Sequence, residues 1–80
     1  MINPIQKVLT QRSMTQRSLG IICGVWFPVI SNLVSGEMNT VPKKVLKGLE
    51  ELGENIEEIE KNYAVYKTEA KAAIMRSVKA

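Results

Sequence analysis

Apolar residues recur at spacings of three and four in five stretches of the chain, and this period is typical of amphipathic α-helices. Polar and small residues separate the stretches. Capping residues lie where the pattern starts: Asn3 followed by Pro4 at the first stretch, Thr15 at the second and Asn55 at the fifth. The pattern therefore predicts an all-α chain whose helices span residues 4–12, 16–23, 26–34, 42–52 and 56–77.

Two glycines mark a sharp corner between the second and third predicted helices. Gly20 lies inside the second helix, where the missing side chain permits close contact, and Gly24 lies in the turn, where it tolerates a positive φ. Gly36 and Gly53 are expected as left-handed caps of the third and fourth helices. Two short helices joined by such a turn form a helix-turn-helix, whose second helix can enter the major groove of DNA.

The composition argues against several classes of protein. The chain has no His, no Asp and one cysteine, Cys23, which we expect to be a buried core residue. It therefore lacks the usual general base, a disulfide and most sets of metal ligands, and we expect no enzyme activity, no cofactor and no metal. No apolar run reaches the roughly 18 residues of a membrane span, and the first residues do not resemble a secretory signal. We therefore expect a cytoplasmic protein without membrane contact.

The net charge of +3 is distributed unevenly along the 80 residues. Six basic and three acidic residues lie in residues 1–53, whereas residues 54–80 carry five of each. All of the excess positive charge thus belongs to the part of the chain with the predicted helix-turn-helix. This distribution favours a polyanionic partner.

Residues 5–53 resemble the Cro and lambda-repressor-like (XRE-type) DNA-binding domain. The resemblance rests on residues 14–16 before the second helix, on the ungapped run over residues 16–36, and on the apolar pattern of the fourth helix: Val45, Leu46, Leu49, Leu52 and Gly53. It implies a lambda-repressor-like five-helix domain with a helix-turn-helix and an extended C-terminal helix. Residues 1–53 would form the DNA-binding core, and residues 54–80 the C-terminal helix.

The resemblance also assigns roles to individual residues. It implies base-reading positions on the third helix, namely Phe27, Pro28, Ser31 and Asn32. It implies contacts to DNA phosphates by Gln16, Arg17, Asn39, Thr40, Lys43 and Lys44. The alternative for Ser31, Asn32 and the lysines is a solvated helix face without a ligand.

One departure from the family lies at the start of the third helix, which is usually polar in the family but is apolar here, with Trp26, Phe27 and Val29. These side chains could contact thymine methyl groups, fold back onto the core, or bind a protein partner. The third possibility defines an alternative function for the whole chain.

The fifth predicted helix carries an apolar stripe at spacings of 3, 4, 3, 4 and 3. Its members are Ile56, Ile59, Tyr63, Tyr66, Ala70 and Ala73. We expect this stripe to form a homodimer, which would place two recognition helices one DNA turn apart on a palindromic operator. The stripe could instead pack on residues 5–53 as an additional core helix, or belong to an exposed tail.

These observations together predict a sequence-specific, double-stranded DNA-binding transcriptional regulator, such as a phage, plasmid or bacterial repressor. The alternative is a protein-binding module on the same fold, either an anti-repressor or an antitoxin-like partner, that uses the apolar surface of Trp26, Phe27 and Val29.

Overall fold

The computed structural model describes residues 2–79, the last of them by its backbone only. Its five helices are α1 (Pro4–Gln11), α2 (Gln16–Cys23), α3 (Phe27–Ser35), α4 (Lys43–Glu51) and α5 (Ile56–Lys79). The prediction of an all-α chain is confirmed for these residues, and each predicted helix end lies within two residues of the observed one.

The helix ends are set by the residues that the sequence indicates. The Asn3 Oδ1 atom accepts hydrogen bonds from the backbone N–H groups of Ile5 and Gln6, at 2.9 and 3.3 Å. Thr15 and Asn55 cap α2 and α5 in the same way. Gly24, Gly36 and Gly53 have φ values of 68, 82 and 92°, so all three predicted left-handed glycines are confirmed.

The corner between α2 and α3 is sharp, because the chain bends by 120° across a break of three residues. Gly20 lies at the inside of this corner. A Cβ atom there would stand 3.2 Å from the Val25 carbonyl oxygen and 3.6 Å from Ile30 Cγ1. Among residues 2–79, no single helix is long and apolar enough to cross a membrane. Helices α2 and α3 are long and apolar enough only when they are taken together, and the chain bends sharply between them.

The glycine with the least room for a side chain is one that the sequence pattern does not single out. Gly48 of α4 lies against Cys23 of α2. A Cβ atom on Gly48 would stand 2.9 Å from Cys23 Cα and 3.1 Å from Cys23 Cβ, and closer still to the sulfur. These distances are shorter than van der Waals contact, so α4 can approach α2 this closely only with a residue that has no side chain.

The core is formed by all five helices and the loop before α4. Its buried apolar residues are Ile5, Val8, Leu9, Leu19, Cys23, Ile30, Leu33, Val41, Val45, Leu46, Leu49, Ile59 and Tyr63. Met14, which the sequence predicts to point inward, is half-buried against this cluster. Arg12 joins α1 to the segment before α5 through an ion pair with Glu54 at 2.6 Å.

The first half of α5 belongs to this core. Ile59 is buried and Tyr63 is only 1% exposed, while Ile56 and Tyr66 pack against the cluster from its edge. Two residues of the predicted dimer stripe, Ile59 and Tyr63, are therefore covered by their own chain and are not open to a second copy. The core also continues across residue 53, the predicted boundary between the two parts of the chain.

The second half of α5 extends beyond the body. A helix of 24 residues is about 36 Å long, whereas the molecule measures 42 × 23 × 22 Å. The helix is longer than the two shorter dimensions of the molecule, and its last turns contribute no residue to the core. In agreement, residues 71–78 are all exposed.

Candidate nucleic-acid interface

Helix α3 has one buried side and one open side. Ile30 and Leu33 are fully buried beneath it. Phe27, Pro28 and Asn32 are exposed on the other side, and Ser31 is half-buried between the two. The four residues that the resemblance assigns to base reading thus share the outward-facing part of α3, and α5 does not cover them. Any contact between these residues and DNA remains a prediction.

Four exposed apolar residues, which we call the apolar corner, flank the turn between α2 and α3 along the chain. They are Ile21, Ile22, Trp26 and Phe27. Trp26 is 83% exposed and Ile21 is 75% exposed. Val29, in contrast, packs against the core. The apolar start of α3 is therefore divided: Val29 folds back, while Trp26 and Phe27 face solvent.

Polar and basic side chains lie at the start of α2 and around the start of α4. Arg17 is exposed and Gln16 is half-buried in the first turn of α2. The exposed residues around the start of α4 are Asn39, Thr40, Lys43 and Lys44. The six predicted phosphate-binding residues are therefore all accessible at least in part.

The backbone at the start of α4 adds to this positive character. Pro42 is the N-cap residue and provides no side-chain acceptor, and the first turn holds no acidic residue. Unsatisfied N–H groups and the positive end of the helix dipole therefore meet the solvent where Lys43 and Lys44 stand. This combination favours an anion such as a DNA phosphate.

Not every basic residue of residues 1–53 contributes to this surface. The guanidinium of Arg12 is held by Glu54 and by the Leu52 carbonyl oxygen, at 2.6 and 2.7 Å. Lys7 lines a depression between α1 and α5, together with Asn62. The number of basic residues that could bind an anion near α3 is therefore smaller than the charge excess of residues 1–53 indicates.

The carboxyl end of α3 is held by three polar side chains, Asn3, Tyr63 and Lys67, which we call the α3 clamp. Asn3 Nδ2 donates to the carbonyl oxygens of Leu33 and Val34, at 2.8 and 3.1 Å.

Tyr63 supplies the second part of the α3 clamp. Its hydroxyl lies 2.8 Å from the Met38 carbonyl oxygen and 3.3 Å from that of Leu33. Burial raises the pKa of the Tyr63 hydroxyl, and the neighbouring Tyr66 raises it further. The hydroxyl therefore stays protonated and keeps its donor hydrogen. The Lys67 ammonium completes the clamp by donating to the Gly36 carbonyl oxygen.

A groove of about 490 Å³ lies between the loop after α3 and the second half of α5, and we call it the α5 groove. Its floor and walls include Gly36, Asn39, Tyr66, Lys71 and Ile74. The Tyr66 ring lies over Gly36, where a Cβ atom would stand 3.0 Å from the Tyr66 hydroxyl oxygen.

The buried thiol of Cys23 has the environment of a core residue. Burial raises its pKa, and the negative charge of Glu51 raises it further, so the reactive thiolate is disfavoured. Among the residues that the structure describes, no group of three or more His, Cys, Asp or Glu side chains could hold a metal ion.

Comparisons of the chain with protein-family models, with curated proteins and with solved structures find no match.

Sequence reasoning missed the α3 clamp and the contact at Gly48. It identified Asn3 only as a cap, although the Nδ2 atom of the same side chain reaches α3. The one available indication was chemical: Tyr63 places a hydroxyl inside an apolar stripe, and a buried hydroxyl needs a partner.

Proposed function

We propose that the protein is a sequence-specific, double-stranded DNA-binding transcriptional regulator whose α3 enters the major groove. The observation that carries the proposal is the open side of α3, where Phe27, Pro28 and Asn32 face solvent. The 120° bend between α2 and α3, across a three-residue turn, is in the range of helix-turn-helix units. We include in the proposal the lambda-repressor-like arrangement of the helices.

In this proposal the residues of α3 contact the bases, and residues of the neighbouring segments contact the phosphates. The Asn32 amide can pair with adenine through two hydrogen bonds, and the Ser31 hydroxyl can donate or accept. Phe27 and Pro28 would contact thymine methyl groups. Arg17, Lys43 and Lys44, together with the polar Gln16, Asn39 and Thr40, would bind phosphates, which positions the protein without reading sequence.

We further propose that the protein acts as a homodimer on a palindromic operator, as a repressor in the cytoplasm of a bacterial or phage-infected cell. The open part of the α5 stripe supports this, since Ala70 is half-buried and Ala73 is exposed next to Tyr66. Sedimentation velocity tests the dimer. A substitution that places a charge in this face, Ala73→Glu, should give a monomer that retains its helical circular dichroism.

The central experiment selects binding sites from random duplex DNA and then measures the affinity of purified variants for the selected duplex at several salt concentrations. Asn32→Ala should lose about 1–3 kcal/mol of discrimination between the selected and altered sequences. Lys44→Ala should weaken binding to all sequences alike. Lys61→Ala is the matched control, because Lys61 is an exposed lysine of α5. Unchanged binding by both test variants would remove the DNA proposal.

The apolar corner favours a second candidate function, a module that binds a protein partner. Exposed clusters of large apolar side chains are typical of protein interfaces, and Trp26 and Ile21 are among the most exposed apolar residues here. Salt separates the two candidates. DNA affinity falls steeply with salt through the release of counterions, whereas an apolar protein interface responds little.

A further inference from the structure

We propose that the α5 groove is a second binding site for the phosphodiester backbone of the DNA, with Lys71 as its main phosphate ligand. This inference rests on the proposed DNA-binding function. It adds a contact from a part of the chain for which the apolar stripe predicts only dimer formation.

The charge along α5 is the first argument. Between residues 70 and 79 the chain carries Lys71, Arg76 and Lys79 and no acidic residue. The last turn of a helix favours basic residues because of the helix dipole, but that effect falls off within one turn. Lys71 lies two turns before the end of α5, so the helix dipole does not account for it.

The position of the groove is the second argument. Asn39, on the opposite wall from Lys71, belongs to the loop whose residues 39 and 40 are predicted to contact phosphates. The groove therefore continues the proposed DNA surface from the loop onto α5. Lys67 holds Gly36 at the base of the groove, so the loop is fixed beside α5 while Lys71 remains exposed.

Charge also decides between DNA and a second copy of this chain as the occupant. A two-fold symmetric contact of groove with groove would bring the same lysines of both copies towards each other. A DNA backbone carries the opposite charge. The exposed apolar residues beside Lys71, Ile74 and Met75, can cover the apolar edges of the sugars.

The test measures the affinity for a selected duplex of the full chain and of two variants that each lose one exposed lysine of α5, Lys71→Gln and Lys61→Gln. The two positions are about 15 Å apart along the helix, which exceeds the screening length of about 10 Å at 0.1 M salt. Both substitutions remove one positive charge, so a general effect of net charge changes both variants equally.

If Lys71 binds a phosphate, the negative slope of log affinity against log salt becomes shallower by about 0.9 in the Lys71→Gln variant. The ratio of wild-type to variant affinity then shrinks about threefold between 50 and 200 mM salt. Lys61→Gln keeps the wild-type slope, and Lys71→Arg, which keeps the charge, also keeps it. Circular dichroism on each variant establishes that the helices are intact.

The other outcomes are distinct from one another. If the wild-type chain binds DNA and Lys71→Gln keeps the wild-type slope, the groove does not bind the backbone, and the proposed function still stands. If Lys71→Gln instead alters the sedimentation coefficient without altering the slope, the groove is a contact between copies and the inference is wrong. If the wild-type chain binds no duplex, the proposed function itself fails.

Discussion

Replacing Gly48 with alanine tests the close contact between α4 and α2. The added methyl group would lie 2.9 Å from the Cα atom of Cys23, which is backbone and cannot rotate away. The substitution therefore forces α4 to move away from α2, or forces a distortion within one of them. We expect Gly48→Ala to destabilise the protein, although alanine is the better helix former.

The expected size follows from two opposing effects. Alanine favours a helix interior over glycine by about 1 kcal/mol. Overpacking a core costs about 1–3 kcal/mol. We expect a cost near the upper end of this range, because the added methyl group meets the backbone of Cys23. The net loss is about 2 kcal/mol in the free energy of unfolding. Since 1 kcal/mol shifts the Tm of a domain of this size by about 4–8 °C, Tm should fall by roughly 8–16 °C.

The assay is urea unfolding followed by circular dichroism at 222 nm, with Gly20→Ala as the control. The nearest atom to a Cβ on Gly20 is the Val25 carbonyl oxygen at 3.2 Å, so a small shift relieves the contact. We expect Gly20→Ala to change the unfolding free energy by less than about 1 kcal/mol, because the helix preference offsets the strain. Both variants add one methyl group to a helical glycine, and they differ only in the space available for that group.

A double-mutant cycle identifies the cause. Cys23→Ala removes the sulfur, which is the atom closest to the added methyl group, but leaves Cys23 Cα and Cβ in place. In the Gly48→Ala background it should therefore restore part of the lost stability, and the two substitutions should not be additive. A Gly48→Ala variant that is more stable than wild type by about 1 kcal/mol, the full helix preference, would refute the close approach of α2 and α4.

Three other perturbations test the role of α5 and the buried hydroxyl and thiol groups. Tyr63→Phe should cost about 1–2 kcal/mol because the Met38 carbonyl oxygen loses its donor, whereas Tyr66→Phe should be nearly neutral; urea unfolding compares them. A chain ending at residue 67 should melt cooperatively, and one ending at residue 53 should not, because only the first retains Ile59 and Tyr63; a cooperative melt from the shorter chain contradicts this.

Stability should be constant from pH 7 to about 8 and fall above about pH 9. The raised pKa values of Tyr63 and Cys23 mean that the unfolded chain releases these protons first, so rising pH favours unfolding. Unfolding curves at pH 7 to 10.5 measure this, and a stability that rises over that range contradicts it.

The helices could be predicted from the sequence because their determinants are local. Asn3, Thr15 and Asn55 bond to N–H groups within three residues along the chain, so the sequence itself contains both partners. The left-handed conformations of Gly24 and Gly36 are local for the same reason.

The partner of the α5 stripe could not be predicted in the same way. A spacing of three and four residues shows that a helix has an apolar face, but not whether its own chain or another copy covers that face. Tyr63 contacts residues 25 and 30 positions away, and Gly48 contacts a residue 25 positions away. Such contacts depend on how the helices pack against one another, and the spacing of apolar residues does not determine that packing.

Predicting the site on α3 requires both the local sequence pattern and knowledge of how the helices pack. Helical spacing of four residues places Phe27 beside Ser31 and Pro28 beside Asn32, so the face that these four residues share could be derived from the sequence. Whether that face is open depends on where α5 lies, and only the structure shows that α5 is attached behind the carboxyl end of α3.

The two ends of α3 are held differently. We therefore expect substitutions that affect the two ends to change DNA binding in different ways. The carboxyl end is fixed by the α3 clamp, whereas the N-terminal end begins at Trp26, which forms no side-chain cap and is largely exposed. Weakening the clamp, as in Asn3→Ala, should change the pose of the whole helix and so reduce the affinity for every duplex. Changing Phe27 alters one contact on a helix that keeps its pose, and should therefore change the preferred sequence. An Asn3→Ala variant that alters sequence preference at unchanged overall affinity would contradict this division of roles.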